Sequence, residues 1–300
     1  MKLALLGYPL SHSLSPTMHN AALQTVGLEW RYETMPVEPG QLAQAIAAIR
    51  GPEYAGANVT VPYKERIVPL IDGLTPVADA IGAVNTLVKR DGRLLGHNTD
   101  AAGLLADLHA HGIDLAKRYA LILGAGGAAR AAVAACASVG ARLRVAARRR
   151  EQAEALMRVG PVEVFDWTPS DLVKAGEHCA LILNATPLGM TPNIDASPWP
   201  AADGVPYPRG AFVYDLVYNP EETLFVRQAR AAGLRATTGL GMLVEQGALA
   251  FELWTDETAP RDVMRRAAES LLRDSRYALR EIASPPAAAR NTCTHRAGAV

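Results

Sequence analysis

The 300-residue sequence predicts an α/β protein in two parts, each a mostly parallel sheet covered by helices. Three observations lead there. Strand-like and helix-like segments alternate through the first hundred residues. A second alternating series begins at Tyr119. A glycine-rich turn sits where that second series passes from its first strand to its first helix. Composition sets the outer limits. With 49% apolar residues the chain can supply two cores, and its thirty basic side chains balance thirty acidic ones, so nothing global selects nucleic acid or an anionic membrane surface. The three cysteines, Cys136, Cys179 and Cys293, are too few and too widely spaced for a disulfide framework or a zinc site, and no metal is expected. The start, MKLALLGYPL, is interrupted by Gly7 and Pro9 and is too short for a signal-peptide core; no apolar run approaches membrane-spanning length. A cytoplasmic protein is expected, a monomer or homodimer with neither nucleic acid nor membrane as partner.

Taken in order, Leu3–Leu6 reads as a buried strand, and Ser15-Pro16 opens a helix to about Val26 with proline at its tolerated first position. Trp30–Val37 reads as a strand, Gln41–Ile49 as a helix and Gly56–Val61 as a strand stopped by Pro62, which has no N–H to donate. Ala83–Lys89 and Arg93–Leu95 form a hairpin across Asp91-Gly92, a pair suited to positive φ. A connector helix runs from Asp100 to about His111. The second series has strands at Ala120–Leu123, Arg142–Ala146, Ala180–Asn184 and Phe212–Leu216, separated by helical runs. Thr191–Gly210, with five prolines, is an ordered surface loop. Two helices follow Gly241, and 284–300 has no periodicity and is expected to be a disordered tail.

YALILGAGGAAR places Gly124-x-Gly126-x-x-Ala129 directly after a strand and at the opening of a helix. The first glycine makes a tight turn, the second lets backbone approach a pyrophosphate, and the small third residue permits close helix–strand packing. The second part is therefore expected to be a Rossmann-type dinucleotide-binding domain. About twenty residues on, where an NAD site would offer an acid to the ribose, stands Ala146-Ala147-Arg148-Arg149-Arg150. Arginine suits a 2′-phosphate, so the cofactor is read as NADP, with Arg148 nearest the strand end; a solvated basic face is the bland alternative.

Polar groups gather at strand ends in the first part. NVTVPYKE offers Asn58, Thr60 and Lys64; SHSLSP offers Ser11, Ser13 and Ser15; GAVNT offers Asn85; GHNTD offers Asn98, Thr99 and Asp100. That inventory suits a small polyhydroxylated acid, and a lysine near an aspartate suits proton exchange with an alcohol while a nicotinamide takes hydride. Taken singly, each has a bland reading: Ser11, Ser15 and Asp100 as helix caps, Asn85 as a turn residue, Lys64 as a surface lysine.

GYPLSHSLSPTMHNAAL, NVTVPYKE, GAVNTL, GHNTDAAG, GAGGAAR, NATPLGM, DLVYNPEET and GLGMLVEQGALAFELW together resemble the shikimate dehydrogenase family, in order and from about residue 3 to 275. The resemblance implies NADPH-dependent, reversible reduction of 3-dehydroshikimate to shikimate in aromatic amino-acid biosynthesis. It also implies a substrate carboxylate on Ser13 and Ser15, and substrate hydroxyls on Asn58, Thr60, Lys64, Asn85 and Asp100, with Tyr218 and Gln246 completing the site. Lys64 and Asp100 would be the catalytic acid/base pair. NADP would lie on Gly124, Ala125, Gly126, Gly127, Ala128 and Arg148, with Leu216 and Gly239 near the nicotinamide. One departure is Ala147-Arg148-Arg149 where the family often has Asn-Arg-Thr; Arg149 would strengthen the phosphate contact.

The fold expected is an N-terminal α/β substrate domain, residues 1–101 completed by helices in 240–283, and a Rossmann-type NADP domain, 102–239, with the active site in the interdomain cleft. The rivals are a quinate/shikimate dehydrogenase with relaxed substrate or cofactor choice and a catalytically silent NADP-binding regulator. A methyltransferase is a third, but it would want an acid where Ala147-Arg148 stands.

Overall fold

The computed structural model describes residues 1–10 and 13–283. Ser11 and the stretch 284–300, expected above to be a disordered tail, lie outside the described residues.

β1 (Lys2–Gly7) carries the unbroken run Leu3–Leu6, all four buried, as in a strand covered on both faces. α1 (Ser15–Thr25), β2 (Arg31–Pro36), α2 (Leu42–Arg50) and β3 (Tyr54–Val59) follow. β4 (Gly73–Leu74), α3 (Pro76–Ile81), β5 (Thr86–Arg90) and β6 (Arg93–His97) complete a sheet of order β2-β1-β3-β5-β6-β4. β1 is parallel to β2 and β3, and β4 to β6, while β5 is antiparallel to both neighbours. The β5–β6 turn has Asp91 at φ 51 and Gly92 at φ 73, the two positive values a primed turn requires.

The strand expected through Val61 ends at Val59. Pairing with β5 stops at Asn58–Thr86, the Thr60 amide turns to Leu6 O, and Val61 is 68% exposed, so its apolar alternation belongs to no ladder. β4 and α3 carried too little periodicity to be predicted, although α3 has a legible start: Thr75 caps it by accepting from Ala78 N, with Pro76 next.

α4 (Asp100–Ala110) leads into the second sheet. Its elements are β7 (Tyr119–Leu123), α5 (Gly127–Ser138), β8 (Arg142–Ala147), α6 (Arg150–Glu154), β9 (Val162–Asp166), α7 (Pro169–Gly176), β10 (Cys179–Asn184), β11 (Phe212–Asp215), α8 (Leu224–Ala231) and β12 (Arg235–Thr238). The order is β12-β11-β10-β7-β8-β9 with every pairing parallel. The chain therefore reverses its direction of build between β7 and β10, and the crevice beyond those strand ends is where such sheets bind ligands. β9 and β12 escaped the sequence because they are edge strands, half-exposed and without an apolar run. The proline-rich loop after β10 is pinned by Trp199, 1% exposed, whose Nε1 donates to Val205 O at 3.2 Å.

α9 (Leu240–Thr255) and α10 (Arg261–Ala283) return to the first sheet. Val244, Ala248, Phe251, Trp254 and Met264 share one core with Leu3, Leu5, Met18 and Tyr32. The first unit is thus built from both ends of the chain and the second from its middle. α4 and α9, the two crossing helices, touch closely: a β-carbon on Gly241 would overlap the carboxylate of Asp107, which also accepts from Tyr214 Oη at 2.6 Å.

Candidate active site

The loops that follow β1 and β3 in one sheet, and β7 and β10 in the other, converge. Lys64 lies in the turn after β3, and its aliphatic stem runs over the glycine-rich turn: Lys64 Cβ and Cδ are 3.6 and 3.7 Å from where a β-carbon on Gly127 would stand. The Nζ donates to Asp100 Oδ2 at 2.6 Å, with the two side chains 17% and 6% exposed. Asp100 is the first residue of α4, and its other oxygen accepts from Asn85 Nδ2 at 2.9 Å. A carboxylate at a helix N-terminus that also accepts an amide and an ammonium is well compensated for its burial.

Asn85, 2% exposed, is the hub of this side. Its Oδ1 accepts from Thr86 Oγ1 and Thr99 N, and its Nδ2 also reaches Thr99 Oγ1 at 2.8 Å and Gln246 Oε1 at 3.3 Å. Gln246 comes from α9, so both ends of the chain meet here. Asn58, on β3, accepts from Tyr32 Oη at 2.8 Å and donates to Asn85 O and Thr86 Oγ1. Ser15 is the buried first residue of α1, and Ser13, half-buried just before it, accepts from Ser15 N at 3.3 Å. Thr60 follows β3 and is half-buried; its methyl lies over Gly7, where a side chain would collide with it. Tyr218 follows β11, where burial pushes its phenol up to about 12, and packs with Leu240 and Leu243 of α9 against the cluster of Leu14, Ala268 and Leu272.

The second unit supplies a cradle. Gly124 has φ 112, which a side chain rarely adopts, and a β-carbon there would also meet Thr186 and Ala185 of the loop after β10. Gly126 caps α5 with no side-chain cap, and a β-carbon on it would meet nothing within 4 Å. Open space over uncapped helix N–H groups fits a pyrophosphate. Ala125 and Ala128 flank this turn. Gly124 N donates to Ala146 O on β8, and Arg148 and Arg149 follow that strand, both exposed. Arg150, by contrast, is tied to Glu154 and Asp166. Leu216 and Gly239 are brought together, since a β-carbon on Gly239 would come within 2.5 Å of Leu216 O.

Ser11 lies outside the described residues; Asn58, Asn85, Thr99, Asp100 and Gln246 form one hydrogen-bonded group with Lys64, whose stem runs over the backbone cradle at Gly127, and Arg148 and Arg149 stand exposed beyond β8. Sequence reasoning missed Thr186, Arg130 and Tyr32. Thr186 and Arg130 lay in quoted motifs, but nothing local marked their contacts with the glycine turn and with Glu65; Tyr32 gave no local signal, because its partner Asn58 is far off in sequence. Among the described residues no three His, Cys, Asp or Glu side chains converge as metal ligands.

Residues 5–87 match the family model for the shikimate dehydrogenase substrate binding domain, and residues 239–269 that for the shikimate 5'-dehydrogenase C-terminal domain. A shikimate dehydrogenase (NADP(+)) of Moorella thermoacetica is 47% identical over 271 residues, covering 88% of this chain and 90% of its own. The enzyme of that name from Symbiobacterium thermophilum is 44% identical over 278 residues, 90% of this chain and 94% of its own. Among solved structures, shikimate 5-dehydrogenase from Thermus thermophilus in complex with NADP(H) and shikimate superposes with a TM-score of 0.81 at 40% identity, covering 90% of this chain and 99% of that one.

Proposed function

The chain belongs to the shikimate dehydrogenase family, and from its site we infer that it interconverts 3-dehydroshikimate and shikimate with NADP(H), an oxidoreductase step of aromatic biosynthesis. The observation that carries the inference is the Lys64–Asp100 pair at 2.6 Å, seated directly over the glycine-rich turn. There a proton-exchanging amine and a dinucleotide cradle share a wall.

Held by Gly124–Ala128, Arg148 and Arg149, NADP(H) would supply the hydride chemistry at the carbonyl carbon of 3-dehydroshikimate. What the chain's own residues supply is the proton and the alignment. Lys64 Nζ delivers a proton to the carbonyl oxygen as the alcohol forms, and takes it back in the oxidative direction. Asp100 holds the amine in place and balances its charge, itself fixed by Asn85. Ser13 and Ser15 take the substrate carboxylate; Asn58, Thr60, Asn85, Tyr218 and Gln246 surround its hydroxyls. Gly124–Ala128 hold the pyrophosphate, Arg148 and Arg149 the 2′-phosphate, and Leu216 and Gly239 the wall beside the nicotinamide. Residues 1–101 with 240–283 act as the substrate domain and 102–239 as the NADP domain. Two buried free thiols, Cys136 and Cys179, pushed up to about 12 and 11 by burial, suit a reducing cytoplasm, and no helix of the described residues is long and apolar enough to cross a membrane.

The test is the absorbance of reduced nicotinamide on mixing purified protein with shikimate and NADP, alongside quinate and NAD. Turnover with shikimate and NADP is expected. Faster turnover of quinate would assign a quinate enzyme, and NADP binding without turnover of either a regulator.

A further inference from the structure

Tyr32 lies on β2, the edge strand of the first sheet, yet it is 1% exposed and its hydroxyl enters the polar cluster of the site. Three features fix it there. The Asn20 side chain clamps its backbone, donating to Tyr32 O at 2.9 Å and accepting from Tyr32 N at 2.8 Å. The ring stacks on His19 with centroids 4.4 Å apart and planes 8° apart, and tilts against Trp254 at 6.2 Å. The hydroxyl donates to Asn58 Oδ1 at 2.8 Å. His19 is itself wholly buried, with neither ring nitrogen hydrogen-bonded and its imidazole pushed down to about 3 by burial, so it is a neutral flat surface rather than a proton carrier. Burial also holds the Tyr32 phenol well above its usual range, the Ser15 side chain acting against that shift and Tyr218 with it. The phenol is a permanent donor, and the residues that sense it are themselves site residues.

The consequence falls on Asn58. Both hydrogens of its amide are committed, to Asn85 O at 3.1 Å and Thr86 Oγ1 at 3.2 Å. A flipped amide would set its oxygen against the Asn85 carbonyl, acceptor against acceptor. Tyr32 takes one lone pair of Oδ1, and what remains is a single acceptor position of fixed direction. We propose that Tyr32 is a positioning residue of the substrate site, pinning Asn58 so that the pocket reads one substrate hydroxyl only as a hydrogen-bond donor. This rests on the substrate reading above and deepens it: the site would discriminate against a ligand carrying a non-donating group at that carbon.

The test compares the wild type with Tyr32→Phe, which keeps the ring stack and deletes only the hydroxyl. Shikimate binding is measured by calorimetry, and turnover separately by absorbance. The ligands are shikimate and two analogues with fluorine in place of one or the other non-reacting hydroxyl, since fluorine cannot donate. For the wild type, one of the two fluorinated ligands should bind about 10-fold more weakly than shikimate. In Tyr32→Phe, shikimate itself should bind about 5- to 20-fold more weakly, and the penalty for that same fluorine should shrink by a factor of about three or more. A purely structural tyrosine would lower thermal stability but leave the fluorine penalty unchanged, which overturns the proposal. So does shikimate affinity within twofold of wild type. Wild-type binding without turnover would remove the dehydrogenase reading and leave this comparison intact; no binding at all would overturn both.

Discussion

Arg130, on the helix that opens with the glycine-rich turn, has its Nε 3.3 Å from Glu65 Oε2, and Glu65 is the residue after Lys64. The approach is a charge contact, since that nitrogen makes no aligned hydrogen bond, and Arg130 Nη1 also lies beside Gly82 at the C-terminal end of α3. One arginine thus ties the cofactor unit to the neighbour of the proposed proton donor. Glu65 is 47% exposed, so the pair is worth at most about 1 kcal/mol and is sensitive to salt. Arg130→Met should lower kcat/KM about two- to fivefold at low ionic strength, and the wild-type-to-variant ratio should approach one in high salt. A ratio that ignores salt would mean the contact does not hold the two units together.

Lys64→Ala should lower kcat by about 10²–10⁴-fold while leaving NADP binding in place, because the amine acts in the chemical step and not in the cradle. Asp100→Asn keeps the shape but loses the charge that holds Nζ at 2.6 Å, and should also lower kcat. The losses should be far from additive in the double variant, as expected of groups that act as a unit. Near-normal kcat for Lys64→Ala would remove it from the mechanism.

Arg148 stands free beyond β8, whereas Arg150 is already engaged by two carboxylates. A charge-assisted arginine–phosphate contact contributes about 1.5–3 kcal/mol, so Arg148→Ala should raise the KM for NADP roughly 10- to 100-fold and leave that for NAD nearly unchanged. Initial rates with each cofactor read this directly. An unaltered NADP-to-NAD ratio would reduce the basic run to a solvated face.

Asp215 is fully buried at the end of β11 and receives Thr223 Oγ1 at 2.6 Å, Asn184 Nδ2 at 2.8 Å and Val217 N at 3.0 Å. Burial nevertheless outweighs these donors and pushes its carboxyl up to about 6 from 3.8. The folded state therefore holds this proton more tightly than the unfolded chain does. The stability it contributes is full below about pH 4, lost as pH rises towards 6, and flat above, on the order of 3 kcal/mol in all. In Asp215→Asn that slope should vanish from denaturant midpoints measured between pH 4 and 7. An unchanged slope would mean the carboxyl titrates normally.

Gly241→Ala should destabilise by more than a surface change would, about 1–3 kcal/mol, because its β-carbon would overlap the Asp107 carboxylate. In an Asp107→Ala background the same substitution should cost far less. Equal costs in urea melts of the two backgrounds would show that the helices part without resistance.

How much of this was legible in the sequence depends on range. Leu3–Leu6, the Asp91-Gly92 turn and Gly124 each announce themselves within a few residues, because burial on both faces, paired positive φ and a strand-to-helix glycine turn have local signatures. β9 and β12 do not, since an edge strand needs no apolar run. Lys64 and Asp100 stand out locally only as polar residues at strand ends, and it is the family resemblance that pairs them; that they touch is set by the way α4 leaves the first sheet. Tyr32 could not be suspected at all: RYETMP reads as an ordinary edge strand, and its meaning resides in Asn58, a partner supplied by another strand.

The threading of the chain also bears on its synthesis. The core of the first unit needs Phe251, Trp254 and Met264, which emerge from the ribosome after the whole second sheet has been made. At about 5–20 residues per second, the apolar faces of β1, α1 and β2 wait roughly 10–45 s for the helices that cover them. During that interval Leu3, Met18 and Tyr32 line an unfinished surface, while the second sheet, continuous in sequence, is free to fold first and keep the crossing helices near each other. The nascent chain should therefore be most dependent on chaperones between the completion of β6 and the arrival of α9, a window that ribosome-arrested fragments ending near residues 110 and 235 would bracket.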